Sequence, residues 1–76
     1  MYDFYGFEDC PPSYSFGPAI RENYVIHYIT KGKGTFYYNN KKIPLSRGDL
    51  FLLKPNEVTF YQADKEEPWS YYWIGM

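Results

Sequence analysis

Residues 32–61 read GKGTFYYNNKKIPLSRGDLFLLKPNEVTFY, and the punctuation of this stretch decides the fold class. Two glycine-marked turns, Gly32-Lys33-Gly34 and Ser46-Arg47-Gly48-Asp49, bracket short runs of β-forming residues. The second turn opens onto Leu50-Phe51-Leu52-Leu53, which Lys54-Pro55-Asn56-Glu57 closes. An apolar run that short, with glycine-aspartate before it and proline-asparagine after it, has the pattern of a buried strand between tight turns. Between the turns, Thr35-Phe36-Tyr37-Tyr38 and Lys42-Ile43-Pro44-Leu45 flank Asn39-Asn40. Asparagine tolerates positive φ, so this pair is expected to close a hairpin of type I′ geometry. Pro44 has no N–H to give to a ladder and belongs on a sheet edge. Gly32-Lys33-Gly34 precedes a strand, whereas a phosphate loop precedes a helix, so its glycines read as a backbone bend.

Working outward, Tyr24-Val25-Ile26-His27-Tyr28-Ile29-Thr30 is a strand by its β-branched and aromatic content. Alternation puts Val25, His27, Ile29 and Lys31 on one face and Tyr24, Ile26, Tyr28 and Thr30 on the other. Both faces are largely apolar, which requires a central strand or an outer face covered by a partner. Downstream, Val58 to Ala63 alternates with Thr59 and Tyr61 on one side. Asp64 to Pro68 is a charged connection. Trp69, Tyr71 and Trp73 then share a face opposite Ser70, Tyr72 and Ile74. Six or seven short strands without a helical segment predict an all-β barrel or jelly roll. Residues 1–20 carry Pro11-Pro12 and Gly17-Pro18 and are expected to form an irregular arm or edge segment, ahead of a domain at 21–76. Its aromatics, among them Tyr5, Phe7, Tyr14 and Phe16, should pack across the body as a strap completing the core or as a lid over a ligand.

Composition narrows the functional classes. Seventy-six residues make one small domain that buries only about 60–65% of its unfolded surface. Ten Tyr, six Phe and two Trp supply large buried rings and, through the phenols, a wet or ligand-facing surface. A formal net charge of -1 with no basic cluster excludes a phosphate-backbone footprint in this segment. One cysteine, Cys10, forbids an internal disulfide and fits a reducing compartment. No apolar run reaches the ~18 residues of a membrane span, and the N-terminus lacks the pattern of a signal peptide, so a cytoplasmic protein with no membrane role is expected. His27 has no second His, Cys or suitably spaced carboxylate near it in sequence, so a hydrogen-bonded interior imidazole outweighs a metal ligand.

Three blocks in order carry a resemblance: Tyr28 to Gly34, Leu45 to Pro55, and Tyr61 to Asp64 followed by Pro68 to Gly75. Together they resemble the N-terminal effector-binding domain of AraC-type transcriptional regulators, in particular those of sugar operons, over roughly residues 14–76. The resemblance implies a cupin, a small double-stranded β-helix, here as a truncated fragment. It implies binding of a small effector, a saccharide, that controls DNA contact through a C-terminal helix-turn-helix region this chain does not contain, with a homodimer in the full-length protein. It also implies no enzyme activity, no cofactor and no metal. Counting the cupin metal motif from Gly48 places Lys54, Asn56 and Thr59 in its proline, glycine and histidine slots, and the upstream His-x-His is missing too. The family's sugar-facing positions fall on Lys31, Tyr61 and Trp73, and the strand parities add His27 and Thr59. An indole face suits the C–H face of a pyranose, and a cation and a phenol suit its hydroxyls. Trp73 reads equally as a core tryptophan. Lys31 stands where the family often has arginine, and lysine offers no planar fork. The alternative is a stand-alone small cupin, either an enzyme or a carbohydrate-binding module. The apolar outer row Tyr24, Ile26, Tyr28, Tyr72 and Ile74 is expected to be covered in the intact protein.

Overall fold

A computed structural model describes residues 4–75 as eight antiparallel strands in two facing sheets. The strands are β1 (Phe4–Asp9), β2 (Ser15–Ile20), β3 (Val25–Lys31), β4 (Lys33–Tyr38), β5 (Lys41–Ser46), β6 (Leu50–Leu53), β7 (Val58–Ala63) and β8 (Ser70–Gly75). One sheet has the order β1-β8-β3-β6 and the other β2-β7-β4-β5, which is a jelly roll. The all-β expectation holds. No helix among the described residues is long and apolar enough to cross a membrane.

The turns behave as their residues dictate. Asn39 and Asn40 both take positive φ, 51° and 63°, between the paired ends Tyr38 and Lys41, and Pro44 lies on the edge strand β5. The Ser46–Asp49 turn is held by the Ser46 amide donating to Asp49 Oδ2 at 2.9 Å and is tied to β3 by the Gly48 amide donating to the Ile29 carbonyl at 2.9 Å. Gly32, at φ 75°, allows the crossing from β3 to β4, where a Cβ would collide with the Pro68 carbonyl.

Two sequence expectations change. Residues 4–20 are more regular than an arm: β1 pairs with β8 and β2 with β7, each as the edge strand of its sheet. The prolines sit where they interrupt least, Pro11 and Pro12 in the connection and Pro18 at an irregularity of the β2–β7 ladder, beyond a cis Gly17-Pro18 bond. The second change is Lys31. The β3–β8 register shifts between Ile29 and Lys31, so that Ile29 faces Tyr71 while Lys31 faces Ser70. One extra residue in β3 reverses the parity there, and Lys31 emerges on the outer surface instead of joining Val25, His27 and Ile29 inside.

The core lies between the sheets. Phe51 is its hub, stacked on His27 (ring centroids 4.4 Å apart, 8° between planes), Phe36 (5.1 Å) and Trp69 (5.4 Å), with Tyr71 edge-on at 6.4 Å. Val25, Ile29, Leu53 and Trp69 are fully buried, each aliphatic side chain contributing about 1.5–3 kcal/mol by leaving water. Part of the aromatic excess in the sequence thus forms a ring-on-ring interior spanning both sheets, while Tyr5, Phe7, Tyr24, Tyr28 and Tyr72 are exposed.

Candidate functional site

At one end of the interior the packing stops short and leaves a cavity of about 200 Å³ between the sheets. From the first sheet, β1 contributes Glu8, β3 contributes Val25 and His27, and β8 contributes Tyr71 and Trp73. The second sheet contributes Phe16 from β2 and Tyr61 from β7, while Tyr14 and Arg21 come from the connections before β2 and after it. Backbone ties hold these two connections. The Ala63 amide donates to the Tyr14 carbonyl at 2.7 Å, and the Asn56 amide donates to the Arg21 carbonyl at 2.9 Å.

Each wall follows from strand parity. His27 and Trp73 are register partners in β3 and β8, and Trp73 also pairs with Gly6 of β1. Gly6 lets the indole lie flat across β1, since a Cβ there would stand 2.6 Å from the ring. Tyr61 is buried, stacked with Phe16 at 5.7 Å and tilted against His27 at 5.2 Å. The Arg21 guanidinium lies 4.7 Å from the centre of the Phe16 ring, a cation–π contact that holds the charge at the cavity rim.

Burial governs the electrostatics of the inner wall of the cavity, formed by Val25, His27, Tyr61 and Tyr71. Burial, with the Arg21 cation adding to it, pulls the His27 imidazole down to about 3, so the ring is neutral at pH 7. Burial raises two of the cavity phenols, Tyr61 and Tyr71, far from ionisation at neutral pH. Two polar atoms of the lining are buried without a hydrogen-bond partner: Nε of Arg21 and Nδ1 of His27. An orphan of this kind costs about 1–3 kcal/mol, and most buried polar groups are satisfied. Around one small cavity stand a guanidinium donor, a neutral imidazole, three phenols and the Glu8 carboxyl, against an indole wall. That is the composition of a site for a small polyhydroxylated molecule: apolar surface plus a few convergent hydrogen-bonding groups.

Of the five residues singled out from the sequence, the cavity brings together His27, Tyr61 and Trp73. Thr59 points inward and is buried but does not line the cavity. Lys31 is on the outer surface, its Nζ 3.9 Å from Asp9 Oδ1, with both side chains mostly exposed. Glu8, Arg21 and Tyr71 were not anticipated as site residues. Tyr71 was legible, since it shares the parity of Trp73; Arg21 and Glu8 were not, because their place depends on how the two edge strands close over the barrel end. A larger trough of about 650 Å³ runs beside the Asn39–Asn40 hairpin, but it is wide open and includes Lys41 and Lys42, so water competes for every polar contact there. Among the described residues no group of three or more His, Cys, Asp and Glu side chains is placed to hold a metal ion.

A family model described as the AraC-like ligand binding domain matches residues 2–76. The Msm operon regulatory protein of Streptococcus mutans is 56% identical over 97% of this chain and 27% of its own length. The raffinose operon transcriptional regulatory protein RafR of Pediococcus pentosaceus is 49% identical over 96% of this chain and 27% of its own. For the lactose operon transcription activator of Staphylococcus xylosus the figures are 35%, 93% and 25%. The chain therefore spans about a quarter of the length of the curated relatives it matches. Among solved structures, a predicted oxalate decarboxylase from Thermotoga maritima superposes with a TM-score of 0.85 at 21% identity, over 99% of this chain and 66% of that one. A Cupin 2 conserved barrel domain protein from Salinispora arenicola superposes with a TM-score of 0.76 at 18% identity, over 93% and 58%. These structural likenesses establish the cupin fold.

Proposed function

Because the chain belongs to the AraC-like ligand binding domain family, we propose that it is the sensory domain of a sugar-operon transcriptional regulator and takes a saccharide into the cavity bounded by His27, Tyr61 and Trp73. The observation that carries this reading is the pair of partnerless buried atoms, Arg21 Nε and His27 Nδ1, on one aromatic-walled cavity. The guanidinium N–H needs an acceptor, the imidazole can take either role, and a sugar hydroxyl supplies both. Trp73 and Tyr61 are the platforms for the C–H faces of the ring. The volume sharpens the class. About 200 Å³ is the liquid share of roughly seven waters, room for one pyranose ring and not for a trisaccharide. The ligand is thus a monosaccharide, or the terminal ring of something longer whose remainder lies outside.

The domain acts as a sensor and not as a catalyst, in the cytoplasm, and DNA contact belongs to a helix-turn-helix region of the longer protein. Support comes from the relatives, whose names are those of operon regulators. Binding would be transmitted as a population shift: the sugar changes DNA affinity by the difference between its affinities for the two regulator states. The direct test is calorimetric titration of a panel of mono-, di- and trisaccharides. A monosaccharide should bind, with affinity at least tenfold weaker in Arg21→Met and unchanged in Lys31→Met. Absence of binding by any saccharide, or equal binding by wild type and Arg21→Met, refutes the reading.

A further inference from the structure

A third buried orphan stands next to the cavity: Oε1 of Glu57 has no hydrogen-bond partner, like Arg21 Nε and His27 Nδ1. The register fixes its place. Ile20 and Val58 are partners in the β2–β7 ladder, and just past them the Asn56 amide donates to the Arg21 carbonyl at 2.9 Å. Arg21 and Glu57 therefore emerge side by side where β2 ends and β7 begins. Glu57 also keeps the inward parity of β7, two residues before the buried Thr59 and four before Tyr61 of the cavity wall. A neighbouring guanidinium and carboxylate could close into an ion pair, yet these two do not. Each is held by a contact of its own. The Arg21 guanidinium lies 4.7 Å from the centre of the Phe16 ring, and Glu57 Oε2 accepts from the Tyr38 hydroxyl at 3.3 Å. What remains is a buried donor on one residue and a buried acceptor on its neighbour, both shut off from bulk water.

We propose that Glu57 determines specificity at the effector site: Arg21 Nε and Glu57 Oε1 hold one ligand hydroxyl between them, and the carboxylate turns the site against anionic sugars. The inference rests on the reading of the cavity as a saccharide site. A hydroxyl satisfies both orphans at once, since it accepts from the guanidinium N–H and donates to the carboxylate oxygen. A carboxylate or phosphate on the ligand would satisfy Arg21 alone and bring a like charge to Glu57, where burial leaves little screening. An ammonium would satisfy Glu57 alone and meet the guanidinium. A lone guanidinium is a site for anions, and a carboxylate beside it converts the place into one for a neutral group that both donates and accepts. The Glu8 carboxyl in the cavity lining adds a second negative charge and works in the same direction. Tyr38 is a positioning residue. By occupying Oε2 it fixes the carboxylate and leaves Oε1 as the free acceptor.

Calorimetric titration with matched pairs of probes tests this: D-glucose, D-galactose and D-mannose, each beside the uronate that replaces its C6 hydroxymethyl by a carboxylate. The wild-type protein should bind a hexose at least tenfold more tightly than the matching uronate, a readout free of folding defects in variants. Glu57→Gln keeps the size of the side chain and removes its charge. Hexose affinity should then fall at least about fivefold, and the hexose-to-uronate ratio at least about tenfold. Tyr38→Phe, which releases the carboxylate to turn, should weaken the hexose at least about threefold. Equal or tighter binding of the uronate by the wild type overturns the proposal. So does a Glu57→Gln protein in which both affinities fall together and the ratio stays fixed, since that is the mark of a structural role. Hexose binding lost in Arg21→Met and unchanged in Glu57→Gln overturns it too, while leaving the saccharide site standing. If no hexose binds the wild type, the saccharide reading itself fails and this inference falls with it.

Discussion

His27 ties the chemistry of the cavity to the stability of the domain, and acid is the perturbation that exposes the link. The ring is stacked between the sheets at 4.4 Å from Phe51, almost fully buried, with Nδ1 unpartnered. Nothing in that setting compensates a second proton, so the folded-state value is about 3 against an ordinary 6.5. The unfolded chain therefore binds a proton that the folded chain refuses. Stability from this group is fully present above pH 6.5 and falls as pH drops toward 3. At pH 4.5 the loss is on the order of 3 kcal/mol, from about 1.4 kcal/mol per pH interval below 6.5. A chain of this length has a total stability of roughly 4–11 kcal/mol, so the loss is a large part of it. The assay is urea unfolding of wild type and His27→Phe at a series of pH values from 7.5 down to 4.5, with linear extrapolation to water. Phenylalanine keeps the stack and removes the proton site. At pH 7.5 the variant should be as stable as wild type or more so, because it removes a buried polar atom without a partner. At pH 4.5 its lead should have grown by on the order of 3 kcal/mol over the difference at neutrality. The carboxylates titrate in both proteins and cancel in the difference. A difference between the two proteins that stays flat with pH, or an imidazole in the folded protein titrating near 6.5 by NMR, would refute the reasoning.

Four further outcomes are expected. Trp69→Ala removes a fully buried ring stacked on Phe51 and should cost about 3–5 kcal/mol, read as a lower denaturant midpoint. Gly32→Ala forces a side chain into a positive φ and against the Pro68 carbonyl, so a loss of at least about 1–3 kcal/mol is expected by the same measurement. Lys31→Met should change stability by less than about 1 kcal/mol, because its partner Asp9 is as exposed as it is. Burial pushes the Cys10 thiol up to about 11, so its reaction with a disulfide reagent at pH 8 should be slow in the native state and fast in urea, when followed by absorbance.

Much of the fold was already legible in one-dimensional pattern. Asn39-Asn40 could only be comfortable in a turn with two positive φ angles, Pro44 could only sit on an edge, and Leu50 to Leu53 between its glycine and proline could only be a short strand. Local chemistry decides such features, and the distant chain leaves them alone. Strand parity likewise placed His27, Tyr61 and Trp73 on inward faces, since alternation holds as long as the ladder is regular.

What the tertiary structure decided begins where the ladder is irregular. A single extra residue near Thr30 turns Lys31 outward, and no period-2 count reveals that, because the bulge is set by the register against β8, about forty residues away in sequence. The proline-rich start looked irregular because prolines speak only for their own backbone. Its two halves become strands through pairing with β8 and β7, whose open edges accept them. Arg21 and Glu8 joined the cavity for the same reason. Each is a charged residue with no sequence pattern of its own, brought to the barrel end by the pairing of the edge strands β1 and β2 with β8 and β7. Residue chemistry thus determined which side chains could serve a ligand, and long-range pairing, which fixes register and edge, determined which of them meet.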